Sequence, residues 1–271
     1  MRRKPGQTLR LGVGVDGLAL LTTGGWFDRS VTLLAEVSLD PAGGAAALGQ
    51  GLRRLLADLP LAGWPVTVVL ADDLARLWQV TPPQAAGRMA DLEAAAALRF
   101  QGLFGAPAAG WRISADWHAA RPFLAAALPL PLLATLQQCA AEHRLSLVEI
   151  VPQFVAALNG WRKRRRPGAW FGHVEGRVLT LAAFEHGAPA SVRTAVIPPA
   201  ADAGWLDAHV AREALLVGIG RPELVQLCGA VPRPWGGNAA RLAFACHLLE
   251  DEDGAPDWST AARLAFTGSR A

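Results

Sequence analysis

The sequence predicts an α/β fold with mixed β-sheets and flanking helices, built from two related halves. Strand and helix patterns alternate along the whole chain, as in proteins whose helices cover the faces of a sheet. Two short apolar hairpins, at residues 9–21 and 169–181, open the two halves. Each turn carries an acidic residue followed by Gly, which favours a tight hairpin because Gly tolerates positive φ. Two such hairpins, each followed by similar elements, indicate a duplicated unit.

Periodicity defines the elements of the first half. Leu48, Leu52, Leu55 and Leu59 recur at three- and four-residue spacing, which predicts an amphipathic helix over 45–59. The β-branched apolar run at 65–71 predicts a buried strand. We predict the remaining elements of this half as strands at 31–39, 76–80, 111–119, 123–129 and 145–151 and as helices at 85–104, 131–144 and 152–161.

The second half repeats this order over a shorter length. We expect a strand at 190–197, a helix at 207–217, a strand at 223–228 and a helix at 239–249, followed by an acidic loop at 250–254 and a tail. A basic run followed by Pro167 marks the join between the halves. The predicted boundaries are 1–161 for the first subdomain, 162–168 for a basic linker and 169–271 for the second subdomain.

Composition excludes several classes of protein. The chain has 271 residues, of which 52% are hydrophobic, and a net charge of +3. No segment approaches the ~18–20 consecutive apolar residues of a membrane span, and the basic N-terminus precedes a predicted strand rather than a signal sequence. Cys139, Cys228 and Cys246 show no metal-ligand spacing. We therefore expect reduced, mostly buried thiols in a cytoplasmic protein without a metal site.

Common catalytic motifs are absent from the sequence. It contains no P-loop, no dinucleotide-binding glycine motif, no nucleophile elbow and no HExxH, and its six histidines are scattered. Asp72 and Asp73 follow a predicted buried strand, where functional groups of α/β proteins lie, but a helix N-cap is the plainer interpretation. Asp116 is interpreted as an exposed polar position between core aromatics. Asp16 and Glu175 occupy matching turns and are the best site candidates, although turn chemistry also explains both.

The basic run consists of five consecutive cations, Arg162, Lys163, Arg164, Arg165 and Arg166. Its plainest interpretation is a solvated connector. Two functional alternatives stay open, which are contact with anionic lipid headgroups and binding of nucleic acid. No aromatic residue interleaves the run and no nucleic-acid-binding motif accompanies it, so the lipid surface is favoured over nucleic acid.

Four stretches together carry a resemblance to a known family. They are the opening hairpin; the Gln79-Val80-Thr81-Pro82-Pro83 run leading into a helix with Leu92-Glu93-Ala94 and Phe100; residues 145–158; and the passage from Arg193-Thr194 to Cys228-Gly229. This order resembles bacterial type IV pilus assembly proteins of the PilM type, and the cytoplasmic part of the type II secretion protein GspL is similar. The resemblance implies an actin-like fold, in which a ribonuclease H-like unit is duplicated.

The resemblance also shows where the sequence departs from ATP-using members of that superfamily. Those members have an Asp-x-Gly-Ser/Thr type of turn in each hairpin, for Mg²⁺ and phosphate. Here the turns are Val15-Asp16-Gly17-Leu18 and Val174-Glu175-Gly176-Arg177, without the hydroxyl. The adenosine-side turn corresponds to Cys228-Gly229-Ala230 or to Trp235-Gly236-Gly237-Asn238, and the chain is short beyond it. We expect no cofactor; if ATP and Mg²⁺ are retained, the resemblance places them at Asp16, Gly17, Glu175, Gly176, Gly236 and Gly237.

The function implied by the resemblance is a non-catalytic cytosolic scaffold of a type IV pilus or type II-like secretion system. Such a scaffold docks a PilN-like membrane protein at the inner face of the inner membrane. Candidate partner-binding residues, on a strand edge or in a helix groove, are Trp78, Val80, Pro83, Phe100 and Phe104. Two hypotheses compete with it, a nucleotide-binding actin-like ATPase or switch and a nucleic-acid-binding protein that uses the basic run.

Overall fold

A computed structural model describes residues 3–25, 28, 30–84, 86–236, 241–249 and 258–269. Its strands are β1 (Thr8–Val13), β2 (Gly17–Thr23), β3 (Val31–Ser38), β4 (Pro65–Leu70), β5 (Arg76–Val80), β6 (Trp111–Ala115), β7 (Phe123–Pro129), β8 (Ser146–Pro152), β9 (Trp170–Glu175), β10 (Val178–Glu185), β11 (Ala188–Val196), β12 (Leu224–Gly229) and β13 (Ala245–Leu248). Its α-helices are α1 (Gly44–Leu56), α2 (Met89–Phe104), α3 (Leu130–Glu142), α4 (Gln153–Gly160), α5 (Ala203–Val217) and α6 (Thr260–Phe266). None of the described helices is long and apolar enough to cross a membrane.

The chain forms two compact units, and each combines separated segments. The first unit comprises Met1–Ala75, Leu128–Gly160 and Ala255–Ala271, and the second comprises Arg76–Ala127 and Trp161–Gly254. The sequence-based boundaries divide the chain only once, at the 162–168 linker. The difference arises because α6, at the end of the chain, packs on β1 and β2, and because the 76–127 segment packs with the second half.

The two units contain the same five-stranded sheet. In the first unit the strand order is β3-β2-β1-β4-β8, and in the second it is β11-β10-β9-β12-β13. Both sheets have two antiparallel pairs, β1–β2 with β2–β3 and β9–β10 with β10–β11, and two parallel pairs that follow. Even the register shift recurs, between Leu20 and Leu21 and between Ala183 and Phe184. The predicted duplication is therefore confirmed at the level of topology.

The first sheet lies between two layers of helices, because side chains of β1 alternate between its faces. Leu9, Leu11 and Val13 are buried with leucines of α1 and α3 on one face. The other face carries Gly12, together with Ala19 and Val69 of the neighbouring strands, and is covered by α6 and α4. Burial on both faces explains why the strand carries Leu9, Leu11 and Val13 on one side and the small residue Gly12 on the other.

Small residues let α6 approach the sheet closely. A Cβ atom on Gly12 would lie 2.3 Å from the carbonyl oxygen of Ala261 and 2.7 Å from the main-chain nitrogen of Ala265. The hydroxyl of Ser259 caps the N-terminus of α6 by accepting a hydrogen bond from the Ala262 amide, at 3.1 Å. The last helix is thus fixed to the first strand by close packing of backbone on backbone.

The second unit has two hydrophobic cores. The five-stranded sheet packs one face on α5, where Trp170, Val174 and Leu227 meet Leu206 and Val210. A separate three-stranded sheet, of order β5-β7-β6, is covered by α2. Strand β5 also lies beside β11.

Most predicted elements are confirmed, and two are wrong. Residues 239–249 were expected to form a helix, but the part that the structure describes contains β13, paired in parallel with β12. The expected tail contains α6 instead. In both cases tertiary packing determines the secondary structure, since β13 pairs at the edge of the second sheet and α6 covers a face of the first sheet. The acidic loop expected at 250–254 lies outside the described residues.

Candidate functional site

The first hairpin ends in a two-residue turn, Val15-Asp16. Val13 pairs with Leu18, and residues 14–17 are closed by a hydrogen bond from the Gly14 amide to the Gly17 carbonyl, at 2.9 Å. Asp16 is exposed at its tip, and its carbonyl accepts a hydrogen bond from the Leu39 amide. The expected positive φ at Gly17 is wrong, because Gly17 already belongs to β2. A Cβ there would lie 3.5 Å from the Cβ of Ala261, which is ordinary van der Waals contact, so neither a positive φ nor packing requires glycine at this position.

The second hairpin turn has the same length. Glu175 pairs directly with Val178, which leaves a two-residue turn of Gly176 and Arg177, with Gly176 at φ +56°. The guanidinium of Arg177 donates to the carbonyl of Ile197, at 3.2 Å. The expectation that Asp16 and Glu175 occupy matching places is wrong. Val13 pairs with Leu18 as Val174 pairs with Leu179, so Asp16 corresponds in position to Arg177 and Glu175 to Gly14.

The glycines of the expected adenosine-side turn have different packing environments. Gly229 has φ +87°, and a Cβ there would lie 2.2 Å from the carbonyl oxygen of Val174. A Cβ on Gly236 would lie 2.8 Å from the Cδ1 of Leu248. Gly229 therefore allows the backbones of β12 and β9 to approach closely, whereas a methyl group on Gly236 would meet only the end of a flexible leucine side chain. Gly237, the other glycine of this prediction, lies outside the described residues.

A neutral histidine lies beneath Gly229. His173 on β9 is buried, and desolvation lowers its pKa to about 4, from an ordinary value of 6.5. A Cβ on Gly229 would lie 3.1 Å from its Nε2. The imidazole therefore offers no positive charge to a phosphate at neutral pH.

Aromatic rings stack beside Gly236. The rings of Trp205 and His209 are parallel, with centroids 5.1 Å apart, and the Trp205 and Trp235 rings are 5.4 Å apart. Trp235 is fully buried, and its Nε1 donates to the carbonyl of Ala201, at 3.3 Å. Sequence reasoning missed this stack, because its members lie on α5 and in a turn that are separated by a strand.

The other carboxylates singled out from the sequence have structural roles. Asp72 is buried, and its Oδ1 accepts a hydrogen bond from the Phe154 amide, at 2.9 Å. It therefore caps α4, which begins 81 positions further along. A 3₁₀ helix, Asp72–Leu74, does follow its own strand, with Asp72 and Asp73 in its first turn and Ala71 at its N-cap. Asp116 is exposed, as predicted, and its main-chain amide donates to the carbonyl of Leu124.

Most of the predicted partner-binding residues are part of a core. Trp78, Val80 and Phe100 are 1%, 1% and 0% exposed, because α2 covers this face of the three-stranded sheet. They cannot present side chains to a partner, so this part of the prediction is wrong. Pro83 is exposed, and Phe104 is 37% exposed while its ring lies 6.0 Å from that of Trp78.

Other apolar residues of α2 are more exposed than those predicted. Leu98 and Leu103 are 74% and 43% exposed. The buried side of the helix is the stripe of Leu92, Ala96 and Phe100, at four-residue spacing. Leu98 falls off that stripe, and this spacing is the signal in the sequence that would have identified it. Leu103 continues the stripe, three residues after Phe100, and is exposed near the C-terminal end of α2.

The described residues contain no group of three or more His, Cys, Asp or Glu side chains placed to hold a metal ion. The three cysteines are free thiols, and burial raises the pKa of Cys139 and of Cys246 to about 11. They are therefore protonated, weakly nucleophilic groups at neutral pH.

The duplicated sheet, the paired hairpins and the returning α6 together define an actin-like ATPase fold. Solved structures confirm this fold. The PilM-PilN type IV pilus biogenesis complex contains a chain with a TM-score of 0.64 and 14% identity, and the alignment covers 97% of this chain and 95% of that one. A Bacteroides thetaiotaomicron protein with actin-like ATPase fold and unknown function has a TM-score of 0.62 and 11% identity, with 90% and 91% covered.

The cytoplasmic domain of EpsL, an inner-membrane component of the type II secretion system of Vibrio cholerae, is a third such structure. Its TM-score is 0.55 at 12% identity, and the alignment covers 97% of this chain and 94% of that domain. No protein-family model matches the sequence, and no curated protein matches it. At these identities the similarity establishes the fold, which the predicted resemblance had implied.

Proposed function

We propose that this protein is a non-catalytic scaffold of a type IV pilus or type II-like secretion system. In this role it docks the cytoplasmic segment of a PilN-like inner-membrane protein. The observation that carries the proposal is the chemistry of the two hairpin turns, since neither carries the hydroxyl of a phosphate turn: buried Leu18 stands at that position in the first hairpin and Arg177 in the second. An actin-like fold whose turns cannot bind phosphate still offers surfaces to which a partner protein can dock.

The chemistry of the turns supports the absence of catalysis. A phosphate cradle needs free backbone amides and a hydroxyl, and Mg²⁺ needs carboxylates that reach it, often through water. At the second turn Glu175 is held in the strand ladder, and Arg177 replaces the hydroxyl. At the first turn an apolar residue, Leu18, stands at the hydroxyl position and is buried.

Similarity to the PilM chain of the PilM-PilN complex supports the choice of partner, because that protein of similar fold is seen bound to PilN. Within this chain, the exposed apolar residues at the C-terminal end of α2 are the surface proposed to receive the segment, and these are Leu103 and Phe104, with Pro83 from the predicted set. Phe104 packs on the buried rings of Trp78 and Phe100, so the surface is rigid before a partner arrives.

Calorimetric titration with Mg-ATP and Mg-ADP tests the non-catalytic part. We expect no saturable heat at nucleotide concentrations well above the micromolar range. Micromolar binding would overturn the proposal.

Site-specific photo-crosslinking in cells tests the docking part. A photoactivatable residue in place of Leu103 should crosslink to a membrane protein with a short cytoplasmic segment. The same residue in place of Leu215, which is exposed on α5, is the matched control and should not crosslink to it. Equal capture at both positions, or crosslinks at position 103 to soluble proteins alone, would contradict the docking surface.

A nucleotide-binding switch of the same fold is the second candidate. The observation in its favour is the exposed turn of Val15 and Asp16, which presents an acidic side chain at its tip. Its predicted contacts are Asp16, Gly17, Glu175, Gly176, Gly236 and Gly237. Mg-ATP binding that Asp16→Ala abolishes would establish this candidate in place of the first.

A location at the inner face of the inner membrane follows from the proposed partner. The predicted contact of the basic run with anionic lipid is part of the same proposal. Its structural basis is argued below.

A further inference from the structure

The basic loop, residues 161–168, is held in one conformation by the second unit. The carbonyl of Trp161 accepts hydrogen bonds from the amides of Arg164 and Arg165, at 2.9 and 3.0 Å. Gln226, a buried residue of β12, accepts a hydrogen bond from the Arg166 amide, at 2.7 Å, and donates to the Arg164 carbonyl, at 3.1 Å. A buried amide side chain thus clamps the backbone of a surface loop from both sides.

One cation of the loop points into the protein. The guanidinium of Arg165 lies 4.3 Å from the ring centroid of Phe184 and 5.8 Å from that of Phe171. Burial lowers its pKa, which is the direction expected for a half-buried cation. Arg165 is therefore an anchor held by cation–π contacts, and it is not available to a ligand.

The other four cations, Arg162, Lys163, Arg164 and Arg166, are exposed. The loop contains no acidic residue. Within the described part of the chain, no ion pair involves Arg162, Lys163 or Arg166. A rigid turn therefore presents a concentrated positive charge, which attracts anions at short range in salt.

We propose that the basic loop binds the anionic phospholipid headgroups of a membrane surface. The proposal deepens the scaffold role and rests on it only for the identity of the membrane, the cytoplasmic leaflet. Guanidinium groups bind phosphate through paired hydrogen bonds, and clustered cations next to a membrane bind acidic lipids. Trp161, half-buried beside the cations, adds an amphipathic ring of the type enriched at membrane interfaces.

The geometry favours a lipid surface over nucleic acid. A single-stranded nucleic acid needs a basic track along several phosphates and open aromatic faces for its bases. Here the exposed cations are confined to one turn, and the guanidinium of Arg164 lies over the Trp161 ring, at 5.1 Å. A planar array of phosphate headgroups suits a compact cluster of this kind.

Vesicle flotation tests the proposal with the full chain. The probes are vesicles of an equal mixture of phosphatidylcholine and phosphatidylglycerol, and vesicles of phosphatidylcholine alone. The test variant is Arg162→Glu/Lys163→Glu/Arg166→Glu, which leaves the clamp on the backbone and the Arg165 anchor in place. The matched control is Arg99→Glu/Arg112→Glu/Arg121→Glu, which makes the same change in net charge at exposed positions of the same unit.

We expect the wild type and the control to float with the mixed vesicles and not with phosphatidylcholine alone. Each cation lost near an acidic surface weakens binding about fivefold, so the test variant should lose flotation. Circular dichroism checks that it is folded. If it is not, Arg162→Gln/Lys163→Gln takes its place, with an expected loss of at least about tenfold.

Three results would overturn the proposal. They are equal binding to both kinds of vesicle, equal loss in the test and control variants, and displacement from vesicles by low concentrations of inorganic phosphate, which would indicate a site for a free ion. Binding of a single-stranded oligonucleotide through the loop, without vesicle binding, would assign it to nucleic acid instead. The flotation assay contains no partner protein. A negative result in it therefore leaves the photo-crosslinking test of the scaffold role unaffected.

Discussion

The Nε of Arg10 donates a hydrogen bond to the carbonyl of Ala265, at 2.7 Å, and so joins the first strand of the chain to its last helix. The Nη2 of the same side chain donates to the carbonyl of Thr267. These carbonyls belong to the C-terminal end of α6, where the helix dipole is negative and a cation is favoured. The positive charge of a half-buried guanidinium is thus compensated by the carbonyl groups at the C-terminal end of α6.

We expect Arg10→Met to lower the free energy of unfolding by about 2 kcal/mol, because it removes charge-assisted hydrogen bonds and leaves carbonyls without donors. The methionine keeps the apolar stem, so packing changes little. Urea unfolding followed by circular dichroism measures the effect. Arg54→Met, at an exposed position of α1, is the control and should change stability by less than about 0.5 kcal/mol. Equal effects of the two substitutions would refute the role of Arg10.

Gly12→Ala should loosen α6, because the new methyl group would meet the backbone of that helix at 2.3 Å. Overpacking of this kind costs about 1–3 kcal/mol. Hydrogen exchange should show faster exchange of amides in α6 than in the rest of the first unit. The control is Gly102→Ala in α2, where a methyl group meets nothing within 4 Å and should stabilise the helix by about 0.5–1 kcal/mol. Unchanged exchange in α6 would show that the contact is unimportant.

Local patterns in the sequence were enough to predict the duplicated sheets. The alternation in β1 and β9 and the leucine spacing in α1 are properties of consecutive residues, and they predicted these elements directly. Strand β13 and helix α6 were missed because their neighbours decide them. Alanine and leucine near Cys246 favour a helix locally, but pairing with β12 makes this segment a strand.

The candidate site was predicted less well, since it depends on register and burial. Asp16-Gly17 and Glu175-Gly176 look equivalent in sequence, yet strand pairing aligns Asp16 with Arg177 and Glu175 with Gly14. Likewise, Trp78 has the composition expected of a docking residue but lies beneath α2. Neither distinction can be made without knowing which residues pair across strands.

Asp72→Ala should destabilise the first unit, because the Phe154 amide at the start of α4 would lose its buried acceptor. The loss of a helix cap costs about 1–2 kcal/mol. The expected result is a lower urea midpoint with an unchanged slope. Asp116→Ala, at an exposed carboxylate, serves for comparison and should leave the midpoint nearly unchanged. If Asp72→Ala matched Asp116→Ala, the capping role would be wrong.

His173 should make stability depend on pH in a defined window. Its folded-state pKa is about 4, below the ordinary value of 6.5, because burial disfavours the imidazolium. Between these values the unfolded chain binds more protons than the folded one, so stability rises with pH through this window and its gain is complete above it. The shift corresponds to about 3 kcal/mol. The free energy of unfolding, measured with urea, should therefore differ between about pH 5, inside the window, and about pH 7, above it. This difference should be larger for the wild type than for His173→Gln, whatever that substitution costs by itself. An identical pH dependence in the two proteins would show that His173 is not buried as a neutral imidazole.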